Sequence, residues 1–270
     1  MAGHANAIAA ELREIHKAGL LRMLETGVHS DLQIDCMDST AFHVHKAIVC
    51  AHSSFFEKAC HCDSFQEGNE SRINLTVGES GIIKLLFTFL YTFEYDDTKL
   101  TNLYDGSRLT TNVMVYAAAD FYDVPPLKRL AITNFNAASD LRNWNEGDFL
   151  EALVKIYSTT HKNDRGLRDP AIKLAIFHQM QLLDLHTVHA PVFLDILSRD
   201  AEIGKDIALL TMATADKFTR MVKNRRMQCS KNGCKQNWDD ASLVMTSGWN
   251  DSLRCYRVLE CRQCGVGEVW

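Results

Sequence analysis

Five of the chain's nine cysteines fall in its last 42 residues, as Cys229-x4-Cys234, then Cys255, then Cys261-x2-Cys264. A stretch that short buries too little core to fold unaided, whereas thiolates two to four residues apart turn back onto one tetrahedral ion through a knuckle loop. Gly233 and Gly265 stand where such loops need a permissive backbone. Between the knuckles, Ala241 to Met245 and Arg254 to Leu259 read as strands joined through Gly248–Ser252, so residues 227–270 are expected to form a small zinc ribbon. Its one zinc is held by Cys229, Cys234, Cys261 and Cys264 and is structural, because four thiolates leave no position open for a reacting water. Cys255 has no partner at knuckle spacing and reads as a plain strand residue.

The odd cysteine total argues against a disulfide framework. Glu11, Arg13, Glu14 and Lys17 break up the first residues, so no secretory leader is expected, and no apolar run is long enough to span a membrane. The expected setting is intracellular, cytoplasmic or nuclear.

Charge divides the chain as the cysteines do. Residues 217–270 carry a net +5 and residues 1–216 a net −10, against −5 for the whole. This composition break puts a boundary near residue 226.

Upstream, Ile8, Leu12 and Ile15 recur at helical spacing, with Gly19 or Gly27 as terminators. Leu32, Ile34 and Cys36 alternate with polar residues as in a half-buried strand, and Ala41–Val44 reads as its hairpin partner. Helical patterns follow around Ile48 and Val49, then Phe55, Phe56 and Ala59 after the N-cap Ser53. A strand is expected at Arg72–Leu75 and a strongly apolar helix over Ile82–Leu90. Two more helices are separated by Pro125 and Pro126, and three further patterns lie near 146–158, 168–184 and 190–224.

Taken in order, Ser30-Asp31-Leu32, Phe42-His43-Val44-His45-Lys46-Ala47-Ile48-Val49, Ser53-Ser54-Phe55-Phe56, Phe65-Gln66-Glu67, Arg72-Ile73-Asn74-Leu75 and Leu86-Phe87-Thr88-Phe89-Leu90-Tyr91 resemble the BTB/POZ domain. The run Val115-Tyr116-Ala117-Ala118-Ala119-Asp120-Phe121-Tyr122-Asp123-Val124-Pro125-Pro126-Leu127-Lys128 is similar to that family's later segment, especially as found in fungal BTB proteins. The likeness spans roughly residues 8–136. The expected class is therefore α+β: a BTB/POZ fold with its N-terminal helix over 1–136, a helical follow-on region over 137–226, and the four-cysteine zinc ribbon over 227–270.

The resemblance implies a protein-interaction adaptor, often a homodimer through its N-terminal helix and first strand. It places Asp31 and Lys46 as the charged pair lining the dimer's central groove, and Phe65 and Glu67 as the contact through which BTB adaptors engage cullin-3, the scaffold of a ubiquitin ligase. On the residues alone, Asp31 also reads as a strand flank and Phe65 as a core anchor. An alternative function is a transcription-associated protein contacting nucleic acid through the basic tail, where Arg220, Lys223, Arg225, Arg226, Lys231 and Lys235 cluster and Trp238, Trp249 and Trp270 offer stacking surfaces. A solvated helix end and a tryptophan-packed ribbon account for the same residues.

An enzyme is not expected. His43, His45, His52 and His61, interleaved with Cys50, Cys60 and Cys62, invite a Cys–His reading, but in a BTB-like core they fall at buried or rim positions. No phosphate-binding glycine loop, nucleophile elbow or His-Glu-x2-His pattern occurs.

Overall fold

A computed structural model describes residues 2–61, 71–98, 107–139, 144–224, 243–249, 255–261 and 267–269, with side chains described among residues 6–214. The chain divides into two compact units, Met1–Ala138 and Ser139–Trp270.

In the first unit, helix α1 (Ala2–Thr26) ends at Gly27, whose φ of +63° is a left-handed conformation that glycine adopts without steric cost. Gly19, the other expected terminator, lies inside the helix. Strands β1 (Leu32–Asp35) and β2 (Ala41–Val44) then pair antiparallel, with Leu32 opposite Val44 and Asp35 opposite Ala41. The alternation read from sequence is the observed burial: Leu32, Ile34 and Cys36 are buried, while Gln33 and Asp35 are only partly so. Strand β3 (Arg72–Asn74) joins β1 in parallel, giving the order β2-β1-β3. A parallel partner needs a crossover, and its described part is the helix pair α2 (Lys46–His52) and α3 (Ser54–Cys60).

Three further helices are described in this unit: α4 (Ser80–Thr92), α5 (Arg108–Phe121) and α6 (Pro125–Ala138). Helix α4 is apolar nearly all round, as a central core helix must be, and it stops where Phe93 turns left-handed. The break between α5 and α6 falls at the two prolines, as expected. Ser53 ties the crossover to this layer. Its hydroxyl accepts from the Phe56 N–H at 3.2 Å, capping α3, and donates to the Tyr122 carbonyl at 2.6 Å. Behind it the fully buried rings of Phe56 and Tyr122 stack at 5.5 Å between centroids.

The second unit holds α7 (Glu146–Thr159), α8 (Arg165–Phe177), α9 (Gln179–Leu182), α10 (His189–Arg199) and α11 (Ala201–Asn224). Two single helices expected from periodicity are each broken. The pattern over 168–184 is α8 and α9 with a joint at His178, and that over 190–224 is α10 and α11 with a joint at Asp200. At the second joint the backbone is extended and the Asp200 carboxylate accepts from the Glu202 N–H at 3.0 Å, so a short acidic side chain restarts the helix as a cap.

Towards the C-terminus, β4 (Leu243–Trp249) and β5 (Cys255–Cys261) form an antiparallel pair that overlaps the two expected strands, but β4 runs on through Gly248 and Trp249, expected in the joining loop, and β5 runs on to Cys261; β6 (Gly267–Val269) adds a third strand to β5.

Candidate interaction surface

Helix α1 changes character midway. Its second half is held by Lys17, whose ammonium reaches Glu94 at 2.6 Å and Glu14 at 3.1 Å, and by Leu21 and Leu24, which face β2 and α4. Over residues 6–16 no side chain is buried. Ile8, Leu12 and Ile15, four and three residues apart, form one stripe on this half, and they are 44%, 60% and 62% exposed.

Beside the anchored half lies a cleft of about 780 Å³ with Leu21, Leu24, Phe42, Leu85 and Phe87 among its walls and Glu25, His43, Lys84 and Asp96 as polar members. β2, the edge strand of its sheet, forms one side.

Asp31 and Lys46 are brought together through the main chain. The exposed Asp31 carboxylate accepts from the Lys46 N–H at 2.7 Å, whereas the Lys46 ammonium lies 3.5 Å from the Ser71 hydroxyl. Next to them the buried His45 is fixed from three directions. Its main-chain N–H donates to the Tyr91 hydroxyl at 2.9 Å, its Nδ1 lies 2.7 Å from the same oxygen, and its Nε2 lies 2.9 Å from the Val28 carbonyl. The Val28 carbonyl can only accept, so Nε2 carries the proton and Nδ1 accepts from Tyr91. Burial, ahead of the nearby Asp31 charge, pushes the Tyr91 hydroxyl up to about 12, which keeps it a donor. Tyr91 carried no signal for this role in the sequence beyond its place near the end of an apolar helix.

Residues 20–138 match the BTB/POZ domain family. The match ends with the first compact unit and starts inside α1, so the exposed Ile8–Ile15 stripe precedes it. No curated protein matches the chain. BTB/POZ domains are protein–protein interaction modules that also mediate dimerisation. The exposed features of the matched unit and of the helix that leads into it are the apolar stripe, the cleft and the Asp31–Lys46 corner. Phe65 and Glu67 lie outside the described residues.

Among the described residues, no group of three or more His, Cys, Asp or Glu side chains is placed to hold a metal. Cys229, Cys234 and Cys264 lie outside the described residues. Leu243, where β4 begins, pairs with Cys261, where β5 ends. Cys255 pairs with Trp249 at the other end, about 20 Å away at the rise of a strand. The basic cluster from Arg220 onward lies beyond the described side chains, and no described helix is long and apolar enough to cross a membrane.

Proposed function

We propose that this chain is a non-enzymatic adaptor of the BTB/POZ type, resembling those of fungi, which self-associates through α1 and presents its remaining surface to protein partners. The observation that carries this reading is the solvent-facing stripe of Ile8, Leu12 and Ile15 on a helix whose other half is anchored to the BTB unit. In a dimer, Asp31 and Lys46 line the groove between the two copies. Light scattering at tens of micromolar, roughly an ordinary assay range, is expected to give a dimer for the wild type and a monomer for Leu12→Glu with Ile15→Glu. A monomeric wild type ends the reading.

In its finer form the adaptor recruits substrates to cullin-3, through Phe65 and Glu67. What supports this is the place of Phe65-Gln66-Glu67, shortly after α3 in the order the family resemblance requires. Purified chain is expected to bind cullin-3, with Phe65→Ala plus Glu67→Ala abolishing capture. Equal capture by the variant, or none by either protein, removes the ligase branch.

The tail carries one structural zinc on Cys229, Cys234, Cys261 and Cys264, a reading supported by their spacing and by the pairing of Leu243 with Cys261. Elemental analysis is expected to find about one zinc per chain, lost on changing Cys261 and Cys264 to serine. A zinc-free wild type rules it out.

A further inference from the structure

Cys50 and Cys60 meet inside the α2–α3 pair. The two helices pack together across the Ser53 turn. The Cys50 thiol points at the Phe56 carbonyl, 3.6 Å away, and that carbonyl lies one helical turn before Cys60 on α3. The Cys60 side chain lies close enough to act on the Cys50 thiol. Both cysteines are half-buried, open enough for a small reagent, unlike the buried Cys36 on the sheet.

We propose that Cys50 and Cys60 constitute a dithiol site that closes to an intramolecular disulfide by exchange with a small-molecule disulfide such as oxidised glutathione. Cys60, at the last position of α3, begins the exchange. Its thiolate attacks one sulfur of the small disulfide, that S–S bond breaks, and one small thiolate leaves to take up a proton. Cys50, losing its proton to solvent base, then attacks the Cys60 sulfur of the mixed disulfide and expels the second small thiol. Two protein thiols lose two electrons and two protons, and one small disulfide becomes two thiols.

The order of attack follows from the surroundings. Burial first, then the Cys60 contact, push the Cys50 thiol up to about 12; the Glu57 charge adds to this and the Lys46 charge opposes it. Such a thiol is a poor first nucleophile, but the second step is intramolecular, between side chains that the α2–α3 pair holds on facing turns. The bond would pin α2 to α3 at the end of α3. It rests on these two thiols and is independent of the adaptor reading.

The test uses the full chain, reduced, then equilibrated across graded ratios of oxidised to reduced glutathione, quenched by alkylation and mapped by mass spectrometry. The expected result is a Cys50–Cys60 cross-linked peptide that grows with the ratio. In Cys50→Ser the cross-link is lost and a glutathione adduct persists on Cys60. Pairing of Cys60 with Cys62 instead, or both thiols still free at the most oxidising ratio, overturns the proposal.

Discussion

The Asp31 carboxylate caps helix α2 from fifteen residues upstream, accepting the N–H of Lys46 at 2.7 Å. The local N-cap residue, His45, makes no side-chain bond to the helix, since both of its ring nitrogens are engaged elsewhere. Asp31 thus takes a place that Ser, Thr or Asp normally fills in sequence. Asp31→Ala is expected to lower stability by about 0.5–2 kcal/mol, as loss of an N-cap does. Asp31→Asn keeps the acceptor and is expected to fold nearly as well. A dimer lost in Asp31→Asn while its denaturant midpoint holds would assign the groove role to the charge, and an equal loss of stability in both variants would refute the cap.

Gly27 is fixed by two constraints at once. Its φ is +63°, and a Cβ built there would come within 2.9 Å of the His43 Cβ on β2. Gly27→Ala is therefore expected to cost about 1–3 kcal/mol, more than ordinary helix-end glycines, because left-handed strain and a side-chain clash combine. Chemical denaturation of the variant checks this. An unchanged midpoint would mean that α1 swings freely on its tether.

The parts of the fold carried by periodicity were readable in advance. The alternation of Leu32, Ile34 and Cys36 gave the first strand, Ser53 the cap of α3, and Pro125 with Pro126 the α5–α6 joint. Pairings between distant residues leave no such trace. His45 and Tyr91 are 46 positions apart, and Arg168 and Glu202 are 34 apart; nothing in spacing or composition links either pair. The joint at Asp200 was hidden for another reason. Apolar residues keep their helical interval on both sides of it, so the pattern runs on while the backbone does not. At the candidate surface, the exposed stripe was legible as an amphipathic pattern, but its freedom from the rest of the unit was not.

Arg168 organises the helical unit from within. Only 3% exposed, it donates to the Thr160 carbonyl at 2.8 Å, the Thr160 hydroxyl at 3.0 Å and the Glu202 carboxylate at 2.9 Å, with its guanidinium 4.3 Å from the Tyr157 ring centre. Arg168→Ala strands the part-buried Thr160 carbonyl and removes packing, and is expected to cost about 2–4 kcal/mol. Glu202 is different, since its side chain is 44% exposed and water takes over when the charge is removed. Glu202→Gln is expected to cost under about 1 kcal/mol. Equal losses in thermal melts of the two variants would show that the ion pair, not the carbonyl contacts, holds α8 in place.

His178 is expected to make the helical unit sensitive to mild acid. It is buried at the α8–α9 joint, stacked on Trp144 with 3.5 Å between ring centres and 4° between planes. Its Nδ1 bonds the Gln181 amide oxygen, which makes Nδ1 the protonated nitrogen, and Nε2 is buried with no hydrogen-bond partner among the described residues. Burial holds its pKa below the ordinary histidine value; the Gln181 bond and, less strongly, the Glu146 charge oppose that. The folded state therefore keeps the ring neutral while the unfolded chain still takes up a proton. Stability from this group is complete above about pH 6.5 and declines as pH falls below it, at no more than about 1.4 kcal/mol per pH unit. Asp206, held low by Tyr157 and Arg165 against the cost of burial, adds to acid sensitivity only in the lower carboxylate range. Unfolding free energies between pH 7.5 and 5 are expected to fall for the wild type and to flatten over that window in His178→Phe, which keeps the stack without the proton. Parallel pH profiles for the two proteins would exclude His178 as the source.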